Sequence, residues 1–151
     1  MHHSITRTFE SVTLLSAGEV MDIWRKGPSV EVEMPIWWWT QTLGCRGCTV
    51  QTIGITGNID WNGRDPRDVC GVRPVFILKE MPGTIMSRGD TLYVGGVPCM
   101  MLDEKRALAD VIVCQMPFSI SGKNNFDHSE LFEYVNSKDF RELVEKFQPT
   151  H

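Results

Sequence analysis

No part of this 151-residue chain carries an apolar run close to the roughly 20 residues of a spanning helix, and its N-terminus has neither the charged nor the apolar region of a signal peptide. No membrane contact and a cytoplasmic location are therefore expected. An excess of positive charge is missing too: 15 lysines and arginines stand against 19 aspartates and glutamates, for a net charge of −4. The basic residues are scattered rather than gathered into a stripe, which argues against phosphate-dominated binding of nucleic acid. Catalytic signatures are equally sparse. Gly54 to Gly57 and Gly95-Gly96 lack the helix and lysine that complete a phosphate-binding loop. There is no G-x-S-x-G elbow. Asp127-His128-Ser129 has the residue types of a hydrolase triad, but three sequence neighbours at a helix start cannot adopt triad geometry. Asp65 and Asp68 lie in a polar loop and read as solvated. Repeats, low-complexity tracts and long linkers are absent, and Lys79 to Arg88, with Pro82-Gly83 inside it, is the single plausible seam.

What remains is the composition of an ordinary folded domain. Hydrophobic residues make up 42% and charged residues 23%, and a chain of this length buries about 68–70% of the surface its unfolded form exposes. A single domain over residues 1–151 is expected, of α+β class: a compact, mostly antiparallel β domain with short flanking helices. Within it, residues 9–79 and 89–148 read as two units.

Phe9 to Leu15 is apolar and β-branched and predicts a strand. Ser16 and Glu19 have capping-box spacing, Val20, Ile23 and Trp24 recur at helical spacing, and Gly27-Pro28 ends that helix. Trp37-Trp38-Trp39 lies in an extended segment, Met34 to Thr40, whose side chains must alternate between faces. Each buried indole then needs an acceptor for its N–H. These tryptophans read as core rather than as a ligand platform. Val72 to Leu78 predicts a buried strand with Pro74 near its start, and Arg73 reads as a structural arginine bonding to carbonyls or an acid. Gly89 to Leu102 has the pattern of a hairpin turning at Gly95-Gly96, and Ala107 to Met116 predicts a further strand. Two short amphipathic helices follow. Asp127 and Glu130 have capping-box spacing, and Phe140, Leu143, Val144 and Phe147 repeat at helical spacing.

Five cysteines, an odd number in a chain without secretion signals, argue against a complete disulfide framework. Cys45-Arg46-Gly47-Cys48 is a C-x-x-C knuckle with glycine before it and within it, which suits two thiolates converging on a tetrahedral metal. Cys70 closes the following hairpin, so Cys45, Cys48 and Cys70 are the expected ligands of a structural zinc ion. The fourth ligand stays open among His128, His2, His3, Cys114, Asp68 and water. Free thiols and a Cys45–Cys48 redox pair are the competing readings, although the strand-to-helix setting of thioredoxin-like motifs is absent. Cys99 and Cys114 lie in apolar strands and read as small core residues.

Trp37-Trp38-Trp39-Thr40, a glycine-rich strand-turn-strand, and Gly71-Val72-Arg73-Pro74-Val75-Phe76-Ile77-Leu78 resemble, in that order, the tryptophan-rich domain-of-unknown-function family of gut Firmicutes and their phages. Leu14-Leu15-Ser16 with Glu19 matches the strand-helix start of that family. Gly89-Asp90, Gly95-Gly96, Leu102-Asp103, Asn125-Phe126, Ser129 and Asn136 resemble a run that members ordinarily carry before the tryptophan segment; here it follows, so the chain looks circularly permuted. The resemblance implies an architecture distantly like C-type lectins and carries no catalytic motif. The family pattern usually lacks cysteines at 45, 48 and 70.

The expectation is thus a non-enzymatic, zinc-stabilised protein-binding module. The phage association implies an inhibitor of a host defence protein such as a CRISPR effector nuclease. A lectin-like module that holds a sugar or small ligand at Trp61, beside Asn58, Asp60 and Asn62, is the first alternative, favoured if Trp61 is exposed. A small metalloenzyme is the second, and it requires an open metal position beside a general base.

Overall fold

The computed structural model describes residues 5–31 and 33–148. Its described residues form an α+β fold, eleven strands in two sheets with short helices at their margins. The first sheet contains β1 (Thr6–Arg7), β2 (Phe9–Thr13), β7 (Val75–Leu78), β8 (Thr91–Val94), β9 (Val97–Met101) and β10 (Arg106–Ala109), in the order β1-β8-β9-β10-β7-β2. The second contains β3 (Trp38–Leu43), β4 (Val50–Ile53), β5 (Ile59–Arg64), β6 (Val69–Val72) and β11 (Cys114–Pro117), in the order β11-β6-β3-β4-β5. All pairings are antiparallel except β1 with β8 and β3 with β6. Strands from residues 9–79 and from residues 89–148 lie side by side in both sheets.

Two apolar runs that read as single strands each prove to be two. Val72 to Leu78 breaks at Arg73-Pro74, leaving the second sheet as β6 and entering the first as β7. Pro74 has no N–H to give a ladder, so it suits the corner. Ala107 to Met116 likewise ends as β10 at Ala109, crosses over Asp110–Val113 and resumes as β11. The two crossings are tied together. Ala109 N–H donates to the Pro74 carbonyl at 3.0 Å, and Arg73 Nε donates to the Ala109 carbonyl at 2.7 Å. Arg73 is 2% exposed, and its Nη2 has no partner among the described residues. Burial pulls its pKa down to about 10, against the opposing influence of Asp110 and Glu31, so it remains a cation at neutral pH.

Alternation of the tryptophans follows from strand geometry. Trp39 is fully buried in the main core with Phe76, Val72 and Phe118, while Trp38 faces a smaller cluster with Leu15, Val20, Ile53 and Leu108. Trp39 Nε1 donates to the Met116 carbonyl at 2.9 Å. Trp38 Nε1 departs from expectation, having no protein acceptor among the described residues; the Arg73 guanidinium lies over its ring at 5.1 Å. Each buried indole removes 150–250 Å² from water, about 4–6 kcal/mol at 25 cal/mol per Å².

Helix α1 (Ala17–Lys26) carries the expected box: Ser16 Oγ accepts from the Glu19 amide, and the Glu19 carboxylate accepts from the Ser16 amide. It ends at Gly27 with φ 85°, a left-handed conformation that glycine adopts without cost from a Cβ. Helices α2 (Glu130–Val135) and α3 (Lys138–Glu145) close the main core through Leu131, Val135, Phe140 and Val144. The cap of α2 is Ser129, whose Oγ accepts from the Phe132 amide, and not Asp127, which lies in the 3-10 turn Phe126–His128. Asn136 covers the outer edge of β2: its Oδ1 accepts from Val12 N–H at 2.9 Å and its Nδ2 donates to the Val12 carbonyl at 3.0 Å. Such a contact blunts an edge that would otherwise invite pairing. The opposite outer strand of the second sheet is β5.

Candidate functional site

The C-x-x-C knuckle lies in the connection between β3 and β4. Gly44 N–H donates to the Thr49 carbonyl at 2.8 Å, and Thr49 Oγ1 spans the loop, its one hydrogen shared between the carbonyls of Arg46 at 2.6 Å and Asn62 at 2.7 Å. Strand β5 helps by slipping register between its Asp60 and Arg64 pairings with β4, which frees backbone for the loop. Cys45 N–H thus donates to the Trp61 carbonyl at 2.9 Å and Arg46 N–H to that of Asn62 at 3.4 Å. The approach requires two glycines. A Cβ on Gly44 would stand 2.0 Å from Thr49 Oγ1, and one on Gly63, which has φ +86°, would meet Gly44 Cα at 3.0 Å. The backbone of the loop is therefore fixed, while Cys45, Arg46, Gly47 and Cys48 are exposed at its crest.

The expected zinc ligand Cys70 is not brought to that crest. It lies in β6 opposite Met116, next to Gly71, which pairs with Trp38 at the start of β3; Cys45 follows the end of β3. Cys70 belongs to the main core, and burial pushes its thiol up to about 11. Cys114 is likewise raised to about 11 and Cys99 well above the usual range, both by burial. Losing a proton to bind metal is costly at all three. Among the described residues no three His, Cys, Asp or Glu side chains gather closely enough to hold a metal ion. Cys45, Cys48 and Cys70 therefore do not fit a shared zinc site within one chain. His128, Cys114 and Asp68 are not brought in as a fourth ligand, and His2 and His3 lie outside the described residues.

A second surface forms around the seam. Met81-Pro82-Gly83-Thr84 is a type II turn, with Thr84 N–H donating to the Met81 carbonyl at 3.0 Å and Gly83 at φ +83° in the position that requires it. The segment is pinned at its far end by Gly89 N–H to the Met101 carbonyl at 2.8 Å and Ser87 N–H to Asp90 Oδ2 at 2.8 Å. Beside it lie three adjoining open depressions, the first two sharing Lys105 and the second and third sharing Arg106, together called the groove. One end is lined by Arg7, Lys79 and Met81, the middle by Ile85, Met86 and Lys105, and the other end by Arg106 with Glu19 and Ile23 of α1. Met86 turns inward at 5% exposure, whereas Met81 at 44% and Ile85 at 91% present apolar side chains to solvent.

At the α1 end of the groove the charges are paired with one another. Arg106 Nη1 pairs with Glu19 Oε2 at 2.6 Å and its Nε with Asp103 Oδ2 at 2.7 Å, while Asp103 Oδ1 accepts the amides of Lys105 and Arg106 at 2.9 and 2.8 Å. Burial raises the Asp103 pKa, but those hydrogen bonds outweigh it and hold the carboxyl below the usual value. Burial also disfavours the Arg106 cation, yet Glu19 and Asp103 together hold its pKa above the usual value. Arg7, 6% exposed, donates from Nη2 to the Lys79 carbonyl at 2.7 Å and so ties the groove to β1.

The seam is visible in the sequence, whereas the groove is not. The available signal was two large apolar residues, Met81 and Ile85, in a Pro-Gly loop with no strand or helix to bury them. No family model, curated protein or solved structure matches the chain.

Proposed function

We propose that the chain is a non-enzymatic protein-binding module that receives a segment of a partner protein in the groove beneath residues 79–90. The observation that carries this reading is Ile85, a 91% exposed isoleucine on a loop tied down at both ends. Met81, also exposed, lines the same depression, so the two apolar side chains form a patch rather than a scatter, and such a patch marks a contact surface. The neighbouring charges also support it. Ion pairs among Arg106, Glu19 and Asp103 form a fixed polar rim of the kind that surrounds an apolar contact. The partner class comes from the family resemblance: a host defence protein, such as a CRISPR effector nuclease.

The test is capture from a bacterial lysate containing CRISPR effectors, using the full chain and an Ile85→Asp, Met81→Asp variant, followed by nuclease assay of what is captured. The parent is expected to retain and inhibit a nuclease that the variant releases. Equal capture by both, or capture of no protein, would sink the reading.

A carbohydrate-binding module is the second reading, because Trp61 is 51% exposed. The polar groups beside that indole are engaged by their own turns, however. Asn58 Oδ1 accepts from Thr56 Oγ1 at 3.1 Å and Asp60 Oδ1 from the Gly63 amide at 3.3 Å. Trp61 fluorescence titrated with a panel of sugars separates the two readings, and a saturable change would favour the carbohydrate.

A further inference from the structure

We infer that the Cys45-Arg46-Gly47-Cys48 loop is half of a tetrahedral zinc site completed by the same loop of a second copy of this chain. The two thiols are exposed in one short loop whose backbone is held by β5, with two residues between them in the chain, so both are accessible to a metal from solvent. Gly47, at φ +53°, lets the chain reverse between them. Zinc in a structural site takes four ligands, and no third one comes from the described residues of the same chain. A two-fold axis through the metal supplies the missing pair with identical geometry.

Charge favours the second copy as the occupant. Four thiolates around Zn²⁺ leave two negative charges, and Arg46, between the cysteines of each loop, returns one positive charge per chain. The assembled site is then neutral. Forming it releases four thiol protons to solvent as four S–Zn bonds are made, with no electron transferred. The surroundings fit as well. Leu43 is 55% exposed and Trp61 51% exposed on either side of the loop, and β5 is the outer strand of its sheet, so two copies can approach while covering apolar surface. The loop shares no residue with the groove lining, so the zinc-joined pair would present two grooves and could bind a multivalent partner by avidity.

The experiment is a zinc titration of the full chain in a thiol-free reductant, following molar mass by light scattering together with the metal-to-chain ratio. The expected result is a doubling of mass at one zinc per two chains, reversed by a chelator. Cobalt(II) in place of zinc should give the charge-transfer absorption of a four-thiolate tetrahedral site. Cys45→Ser and Cys48→Ser should bind no metal and remain monomeric with unchanged melting, whereas Cys70→Ser should pair like the parent. Arg46→Glu should weaken pairing by about tenfold or more. One zinc per chain at unchanged mass, failure to retain zinc, or a doubling that survives Cys45→Ser with Cys48→Ser would overturn the inference.

Discussion

The groove beneath residues 79–90 and the cysteine loop are both built from turns on the same pair of sheets, yet their polar groups are satisfied in opposite ways. At one end of the groove Arg106 pairs with Glu19 and Asp103 within the chain, while Met81 and Ile85 are left facing solvent. In the cysteine loop the amides of Gly44, Cys45 and Arg46 are bonded to the carbonyls of Thr49, Trp61 and Asn62, and two thiols are left exposed with no third ligand beside them among the described residues. The difference teaches what each surface needs from outside. On the readings proposed above, the groove takes apolar cover from a partner, whereas the loop takes a metal ion and the thiols of a second copy.

Breaking the frame beneath both should have the largest effect. Trp39→Ala removes a fully buried indole and its bond to the Met116 carbonyl. It is expected to cost about 3–5 kcal/mol in urea unfolding. Trp61→Ala, at the surface, should stay within about 0.5 kcal/mol of the parent, and a comparable loss in the two variants would refute the assignment of Trp39 as scaffold and Trp61 as surface.

A smaller change separates the two regions. Gly44→Ala forces a Cβ against Thr49 Oγ1 and the Asn62 carbonyl, an overpacking expected to cost about 1–3 kcal/mol. Zinc-dependent pairing should be lost while capture through the groove persists. Loss of both would show that the two surfaces are coupled.

The mildest test is acidification. The Asp103 carboxyl has its pKa lowered in the folded chain. Its contribution is therefore fully present above the unfolded value, about 3.9, and is lost as pH falls through the lower folded value. Asp103 is partly exposed, so the effect is screened and small. Asp103→Asn should flatten that part of the stability curve below about pH 4, with no change in zinc binding. An unaltered acid limb would remove Asp103 from the groove's support.

Local devices were legible in the sequence and long-range ones were not. The Ser16–Glu19 box, the Gly95-Gly96 hairpin and the alternation of Trp38 with Trp39 each depend on neighbours a few residues away, and each is present. The runs through Arg73-Pro74 and Asp110–Val113 misled because an apolar stretch records burial but not which sheet buries it. Cys70 misled for a related reason. It ends a hairpin in sequence, but β6 pairs with the start of β3, so its thiol joins the core instead of meeting Cys45 and Cys48. Likewise, Asp127 had capping-box spacing, yet the intervening 3-10 turn passes the cap to Ser129. The groove was least visible, since it forms where residues 79–90, the 103–106 turn and α1 meet.

The central claim, that a partner protein occupies the groove while the cysteine loop is free for metal, is tested most directly by hydrogen exchange on the full chain with the captured partner and, separately, with zinc. The partner should slow exchange at residues 79–90 and 102–106 and leave 43–49 unchanged, with zinc giving the reverse pattern. Protection by the partner at 43–49, with 79–90 unaffected, would contradict it.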